Sequence, residues 1–304
     1  MSNVRSTRSR VIYILGTVVL LLLLVVVSLL AVRKITGRSL GLRSFITYRI
    51  QTILNLPRAV ADSRNVQASS QGDFTNIVFL HQSVGDNLIE YGNVREEFQQ
   101  RGYTFWDHHS NPIGLRDPEG RYSDYNYNVP NDNTNPDGLA RIFNQRVYPL
   151  PVNALSGLMQ HEVIAFKSCF PTSDIRSDEQ LEQYKTWYLG MRDVMDQHPD
   201  KVFIVMSQPP LNPASTNPEL AARARSFATW LTSDEFLDGH PNIFTFDLFN
   251  HLAESNPSAS DFNMLRQEYR HQGTDSHPNR LANATTGPEF VDFIIDSTQT
   301  YLNK

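Results

Sequence analysis

A serine early in the chain and an acid–histidine pair near its end carry the side chains that acyl transfer requires. Ser83 lies in NIVFLHQSVGDN, where an apolar run stops and a helix-like pattern begins, and Asp275 and His277 lie in GTDSHPN. A serine hydroxyl becomes nucleophilic when a base removes its proton, and histidine titrates near neutral pH. A carboxylate then holds the imidazole in the correct tautomer. We therefore expect Ser83 as nucleophile, His277 as base and then acid, and Asp275 as the orienting carboxylate.

Each of these residues also has a simpler interpretation. Serine is a favoured N-cap, so Ser83 could only begin the helix that follows it. His277 precedes Pro278 and could be an ordinary turn residue. The early serine and the late acid–histidine pair support each other, and together they favour chemistry.

The elements that must position these residues are those of an α/β domain. Short apolar runs predict buried parallel strands over Ile77–Leu80, Tyr103–Trp106, Val163–Phe166, Val202–Met206 and Ile243–Leu248. Helical spacing between the runs predicts helices over Leu88–Arg101, Asp178–Gln197 and Pro218–Leu237. Strands that alternate with helices indicate a three-layer α/β/α fold with a mostly parallel sheet.

Further reactive side chains follow the predicted strands, at the edge where open α/β sheets bind ligands. His81 lies two residues before Ser83, so a pleated strand points both to the same side. That position favours a structural or substrate-contacting role for His81. Asp107, His108 and His109 are adjacent and permit a metal-ligand interpretation, but the spacing of zinc proteases is absent, and we predict no metal site.

Composition limits the class of protein. The net charge is −5 and the basic residues are concentrated before residue 60, so the remaining domain is more acidic still and argues against a nucleic-acid partner. The single cysteine, Cys169, excludes an intrachain disulfide; it is an alternative nucleophile, although free cysteines are more often buried and inert. The polar, tyrosine-bearing segment from His108 to Pro136 suits a carbohydrate-binding surface, or a surface loop held by Asx turns.

The N-terminal part of the chain departs from this pattern. Residues 11–32 are uncharged, which predicts a membrane anchor; a cleaved signal peptide normally has an apolar region of only about 7–15 residues. Basic residues flank both sides and do not set the orientation. We predict a basic tail at 1–10, a transmembrane anchor at 11–32, a juxtamembrane amphipathic helix and polar linker at 33–73, and the α/β domain at 74–304.

From Ile77 to Phe293 the chain resembles the SGNH (GDSL-like) hydrolases, as a divergent branch. NIVFLHQSVGDN resembles the first block of that superfamily, in which a serine follows the first strand. GTDSHPNRLAN resembles the last block, in which an Asp-x-x-His pair completes the triad. The resemblance implies an SGNH-like α/β fold and a serine-dependent esterase activity.

The departures from the superfamily concern the acid and the oxyanion hole. Thr274 occupies the position three before His277, and the acid is instead Asp275, two before it. The block that usually supplies an oxyanion-hole asparagine reads FKSCFPTSDI. The candidate oxyanion or substrate-binding residues are therefore Lys167, Ser168 and Ser173 from that block, Gly138 from NPDGLARIF, and His81.

These observations lead to one functional hypothesis and two alternatives. We expect a membrane-anchored serine hydrolase that deacylates a carbohydrate or lipid, with the triad Ser83, His277 and Asp275 and without a cofactor. Its expected partners are membrane lipid through the anchor and a small acylated substrate or glycan, in a single-pass membrane protein whose catalytic domain lies outside the cytoplasm. The alternatives are an acyltransferase on the same scaffold and an inactive ligand-binding module.

Overall fold

A computed structural model describes residues 16–31, 57, 60–61, 63–109, 114–123, 126–129 and 135–304. The chain divides into two units, 1–56 and 57–304. In the first unit, the helix α1 spans residues 16–31. The second unit contains a six-stranded sheet and the other helices.

The part of the chain that the structure describes does not support the predicted transmembrane anchor. Within the described ranges, no helix is both long enough and apolar enough to span a bilayer. The predictions of a transmembrane anchor at 11–32 and of a single-pass membrane protein are therefore wrong; residues 11–15 and 32 of that segment lie outside the described residues.

The sheet is mixed and mostly parallel. Its strands are β1 (Asn76–Leu80), β2 (Thr104–His108), β3 (Leu115–Arg116), β4 (Val163–Lys167), β5 (Val202–Met206) and β6 (Ile243–Phe246). They are arranged in the order β3-β2-β1-β4-β5-β6, and only the edge strand β3 pairs antiparallel. The α/β class is as the sequence indicates, but the predicted fold as a whole is wrong because it includes a transmembrane helix.

Helices connect the parallel strands. After α2 (63–68) they are α3 (Ser83–Tyr91), α4 (Val94–Gln100), α5 (Pro136–Phe143), α6 (Ala154–Leu158), α7 (Asp178–Met195), α8 (Pro218–Leu231), α9 (Asp234–Leu237), α10 (Leu248–Leu252) and α11 (Arg280–Leu302). Single 3₁₀ turns occur at Phe170–Thr172, Pro213–Ser215 and Gln267–Tyr269.

Two hydrophobic cores lie on opposite faces of the sheet. Alternate side chains of a strand point to opposite faces, so Phe79 packs with Leu88 and Phe290 in one core, whereas Leu80 packs with Leu139 and others in the second. Burying one such aliphatic or aromatic side chain contributes roughly 1.5–3 kcal/mol. Helices α3, α4 and α11 therefore cover one face, and α5 and α7 cover the other.

Helices α3 and α11 approach each other closely at two glycines. A Cβ added to Gly287 would lie 2.4 Å from the backbone oxygen of Gly92, and one added to Gly92 would lie 2.8 Å from Gly287 Cα. Only glycine leaves room for backbones at this distance. The contact matters for the site because Ser83 begins α3 and His277 directly precedes α11.

The segment predicted as a juxtamembrane helix and linker is described only in part. Residues 33–56, which include the predicted amphipathic helix, lie outside the described residues. Residues 63–68, predicted as part of a polar linker, instead form α2 and pack on the domain. Val66 is fully buried, and its carbonyl accepts a hydrogen bond from Asn76 Nδ2 at 2.8 Å.

Candidate active site

The strand order places a topological switch point at the carboxyl ends of β1 and β4. These strands are neighbours, but β1 leads into α3 on one face and β4 leads towards α7 on the other. In doubly wound sheets, ligands bind at such a switch point, where consecutive connections go to opposite faces. Ser83 follows β1 by three residues, and the segment from Ser168 to Ser173 follows β4.

Ser83, His277 and Asp275 meet beside this switch point. Ser83 Oγ lies 2.8 Å from His277 Nε2, and His277 Nδ1 lies 2.7 Å from Asp275 Oδ1. Asp275 accepts from Nδ1, so Nε2 of the neutral ring is free to accept the proton of the Ser83 hydroxyl. The contacts join residues 194 positions apart in sequence. The three side chains therefore have the geometry of a Ser–His–Asp triad.

Asp275 is held in its charged form by the histidine that it orients. The backbone N–H of His277 donates to Asp275 Oδ1 at 3.0 Å, in addition to the side-chain hydrogen bond. These two hydrogen bonds lower the pKa of Asp275 below its ordinary value, with the backbone bond the larger cause. Asp275, whose side chain is half-exposed, therefore stays ionised near neutral pH.

The turn that carries Asp275 and His277 is fixed by the segment after β5. Asn212 donates its backbone N–H to Ser276 Oγ and its side-chain amide to the Asp275 carbonyl, both at 3.1 Å. Ser215 Oγ donates to the Thr274 carbonyl, also at 3.1 Å. Three hydrogen bonds from one neighbouring segment thus set the position of a turn that is itself largely exposed.

Phe170 connects the loop after β4 to the histidine. Its ring meets the His277 ring edge to face, with 5.3 Å between centroids and an interplanar angle of 88°. This arrangement is favourable for aromatic pairs and restricts rotation of the imidazole.

Two backbone donors are available at the start of α3. The Gln82 carbonyl accepts from the N–H groups of Gly85 and Asp86, at 2.7 and 3.1 Å. In the described part of the chain, the N–H groups of Ser83 and Val84 have no acceptor, as expected for the first turn of a helix. Such donors beside a nucleophile can stabilise the oxyanion of a tetrahedral intermediate.

The predicted oxyanion donors from the loop after β4 are engaged elsewhere. Lys167 is buried and donates to the Ser168 carbonyl at 3.2 Å. The buried Ser168 hydroxyl accepts from Thr172 Oγ1, and Ser173 Oγ donates to the Pro209 carbonyl at 2.6 Å. Because its proton is committed to Pro209, Ser173 is not an oxyanion donor in this conformation.

The positions of Gly138 and Cys169 do not support the roles considered for them from the sequence. Gly138 is buried in the first turn of α5, a helix that packs mainly on α7, on the face of the sheet opposite to α3. Cys169 is buried in the core on the α3 side.

A buried network of charged groups lies beneath the first turn of α3. Asp107 is completely buried; it contacts the guanidinium groups of Arg95 and Arg116, the latter at 2.6 Å, and His81 Nε2 at 2.9 Å. Burial disfavours the charged carboxylate, but His81 and the two arginines outweigh it and hold the pKa of Asp107 well below its usual range. Asp107 therefore serves as the anion of an ion-pair network.

No protein-family model matches this chain, and neither does any curated protein or solved structure. What the site can do is therefore argued from the residues themselves.

The ion-pair network extends from Asp107 to the surface beside Ser83. Arg116 also contacts Asp86 at 2.5 Å, and Asp86 lies 2.9 Å from His109 Nε2. Asp86 is one helical turn after Ser83 and is therefore its neighbour on α3. Asp107 and His109 were considered from the sequence only as possible metal ligands, and Asp86, Arg116, Phe170 and Asn212 were not considered, because spacing along the chain gives no sign of such long-range contacts.

Proposed function

We propose that this chain is a serine hydrolase of the esterase type, with Ser83 as nucleophile, His277 as general base and acid, and Asp275 as the orienting carboxylate. The observation that carries the proposal is the continuous pair of contacts from Ser83 Oγ to His277 Nε2 and from His277 Nδ1 to Asp275. The resemblance of the segments around Ser83 and His277 to SGNH hydrolases supports the same proposal.

In the first half-reaction, Ser83 Oγ attacks the carbonyl carbon of an ester while His277 Nε2 takes the hydroxyl proton. The carbonyl oxygen becomes an oxyanion, which the N–H groups of Ser83 and Val84 stabilise at the positive end of α3. When the intermediate collapses, the bond to the leaving oxygen breaks and His277 returns the proton to it. The products are an alcohol and an acyl group on Ser83.

The second half-reaction repeats these steps with water. His277 Nε2 takes a proton from water as the water oxygen attacks the acyl carbon, and it then returns the proton to Ser83 Oγ as the acid leaves. Asp275 stabilises the imidazolium that forms in both halves. The chemistry consumes one water and needs only the residues of the triad and the backbone donors.

The accessibility of the triad favours hydrolysis over acyl transfer. Ser83 is exposed, and the side chains of His277 and Asp275 are 31% and 50% exposed in the described structure. Water therefore reaches the position from which it would attack the acyl group. A transferase must instead keep water away from its acyl-enzyme.

An acylated carbohydrate is the substrate class that the surroundings of the site favour. Tyr122 is 57% exposed, and the Arg116 guanidinium carbon lies 6.0 Å from its ring centroid. Arg116 in turn contacts Asp86, the neighbour of Ser83 on α3. An exposed aromatic ring joined to the site by polar groups suits the alternating apolar and hydroxyl surfaces of a sugar.

A fluorophosphonate probe tests the proposed nucleophile, because it reacts with activated serines. We expect the probe to label the wild-type protein at Ser83, as identified by peptide mass spectrometry, and to leave Ser83→Ala unlabelled. Hydrolysis of p-nitrophenyl acetate should fall in the same variant by about 10³-fold or more, since the nucleophile is lost.

Ser226→Ala is a matched control, since Ser226 is an exposed serine of α8 that bonds only within its own helix. It should keep full labelling and turnover. Wild-type protein that resists the probe as completely as Ser83→Ala would refute the proposed function.

A further inference from the structure

His81 lies beneath the peptide that joins Gln82 to the nucleophile. Its side chain is fully buried, and its Nδ1 lies 3.0 Å from the Gln82 carbonyl oxygen. A carbonyl oxygen can only accept, so His81 Nδ1 is the donor of this hydrogen bond. The other ring nitrogen, Nε2, lies 2.9 Å from Asp107 Oδ2. The buried Asp107 carboxylate thus orients the His81 ring, and His81 Nδ1 donates to the backbone carbonyl immediately before Ser83.

This hydrogen bond fixes the direction of the Ser83 N–H. The peptide bond is planar, so the carbonyl of Gln82 and the N–H of Ser83 point to opposite sides of the chain. The Gln82 oxygen is held by three donors, namely His81 Nδ1 and the N–H groups of Gly85 and Asp86. With the carbonyl held inwards, the Ser83 N–H is directed outwards to where an oxyanion would form.

Gly85 allows α3 to approach the His81 ring closely. A Cβ added to Gly85 would lie 2.4 Å from His81 Cβ and 2.5 Å from His81 Cγ, so only glycine lets α3 rest directly on the imidazole. Asp107 is itself held on the far side by Arg95 and Arg116. The orientation of His81 is therefore set by a carboxylate with little freedom to move.

We infer that His81 is a positioning residue for the oxyanion hole of the proposed esterase, acting through the Gln82–Ser83 peptide. The inference rests on the proposed function. His81 does not touch the substrate, because it is buried below α3; it aligns the backbone donor that does. The part of His81 that matters is the Nδ1 donor, whereas Nε2 serves to orient the ring.

Two amide substitutions separate the two ring nitrogens. In His81→Asn the side-chain nitrogen takes about the position of Nδ1 and can still donate to Gln82, whereas in His81→Gln it takes about the position of Nε2 and reaches Asp107 instead. With p-nitrophenyl acetate as substrate, we expect kcat to fall about 100-fold in His81→Gln and less than about 10-fold in His81→Asn, since a misaligned oxyanion donor costs about 10²–10³ in kcat.

KM distinguishes positioning from general damage to the fold. It should change less than about 3-fold in both variants, because the oxyanion forms only after substrate has bound. Inhibition by a trifluoromethyl ketone, which forms a tetrahedral adduct on serine, should weaken in parallel with kcat. Urea unfolding of both variants provides the control, and the loss of kcat should not follow the loss of stability.

Equal kcat values for the Asn and Gln variants would overturn the inference, and so would activity losses that simply track the free energy of unfolding. Failure of the proposed function has a different signature. In that case wild-type turnover would not depend on Ser83 at all, and the role of His81 would fall with it. If turnover depends on Ser83 but the two His81 variants have equal kcat values, only the positioning role of His81 is refuted.

Discussion

At the scale of single residues, the chain differs from SGNH hydrolases in the position of the carboxylate that orients His277. The resemblance to SGNH hydrolases places an acid three residues before the histidine, where this chain has Thr274. The structure instead brings Asp275 to His277 Nδ1 at 2.7 Å. A carboxylate two residues before the histidine therefore reaches the same ring nitrogen from within a tight turn.

Replacing the acid should affect turnover far more than replacing its neighbour. We expect Asp275→Asn to lower kcat by about 10³-fold, because an amide stabilises the imidazolium poorly and permits the wrong tautomer. Thr274→Ala should stay within about 3-fold of wild type, since only the Thr274 backbone is used, by Ser215. Steady-state kinetics with p-nitrophenyl acetate measures kcat of both variants. A larger loss of kcat in Thr274→Ala than in Asp275→Asn would show that Asp275 is not the orienting acid.

Residue types and chain order were enough to predict the contact between Ser83 and His277, because the chemistry of acyl transfer demands a base. The supporting residues could not be predicted in this way. His81 was expected on the same side as Ser83, yet it lies wholly buried on Asp107. Its role depends on a close approach that Gly85 permits, and nothing in the spacing of the sequence reveals that approach.

At the scale of elements, the crossing of α3 and α11 sets the distance between the two halves of the triad. Ser83 begins one helix, His277 precedes the other, and Gly92 and Gly287 meet between them. We expect Gly287→Ala to lower the free energy of unfolding by about 1–3 kcal/mol, because the added methyl group overpacks against backbone. It should also lower kcat, since the helices that carry Ser83 and His277 must separate. Urea denaturation and kinetics measure the two effects.

Gly190→Ala is the matched control for this crossing. Gly190 lies within α7, and a Cβ added there has no neighbour within 4 Å. Alanine should therefore raise stability by up to about 1 kcal/mol through helix propensity and leave kcat unchanged. A Gly287→Ala variant as stable and active as Gly190→Ala would contradict the packing described for α3 and α11.

The elements differ in how far the sequence predicts them. Short apolar runs marked β1, β2, β4, β5 and β6, since strands covered on both faces consist mainly of apolar residues. Neither β3 nor α11 was predicted from the sequence. Strand β3 has only two residues within a polar segment. In α11, the first part of the buried stripe includes the polar Asn283 and Thr286 and the small Gly287, which hides the apolar periodicity, and Pro288 lies inside the helix.

At the scale of the whole domain, a chain of buried polar groups links distant segments. Tyr127 donates its backbone N–H to His108 Nε2 at 2.9 Å, and its hydroxyl lies 2.9 Å from His161 Nε2. His161 Nδ1 lies 3.0 Å from Asn76 Oδ1, and Asn76 Nδ2 donates to the Val66 carbonyl. These hydrogen bonds thus join the end of β2 to the start of β1 and to α2. Accepting at Nε2, His108 must be neutral in this arrangement.

This arrangement makes the stability of the domain depend on pH. Burial lowers the pKa of His108 from 6.5 to about 4 and that of His161 well below 6.5. Between about pH 6.5 and 4 the unfolded chain therefore binds more protons than the folded one, so stability falls as the pH falls, by up to about 1.4 kcal/mol per pH unit for each histidine.

Urea unfolding between pH 4.5 and 8 tests this dependence. Below pH 6.5, the wild-type unfolding free energy should decrease steeply, and His108→Gln should reduce the slope by up to about 1.4 kcal/mol per pH unit, since one titrating group is removed. Glutamine Oε1 can still accept from the Tyr127 N–H, so the variant keeps the bond that holds this segment. Equal slopes for wild type and His108→Gln would show that the folded domain takes up a proton at His108 as readily as the unfolded chain does, contrary to the buried and fully bonded ring.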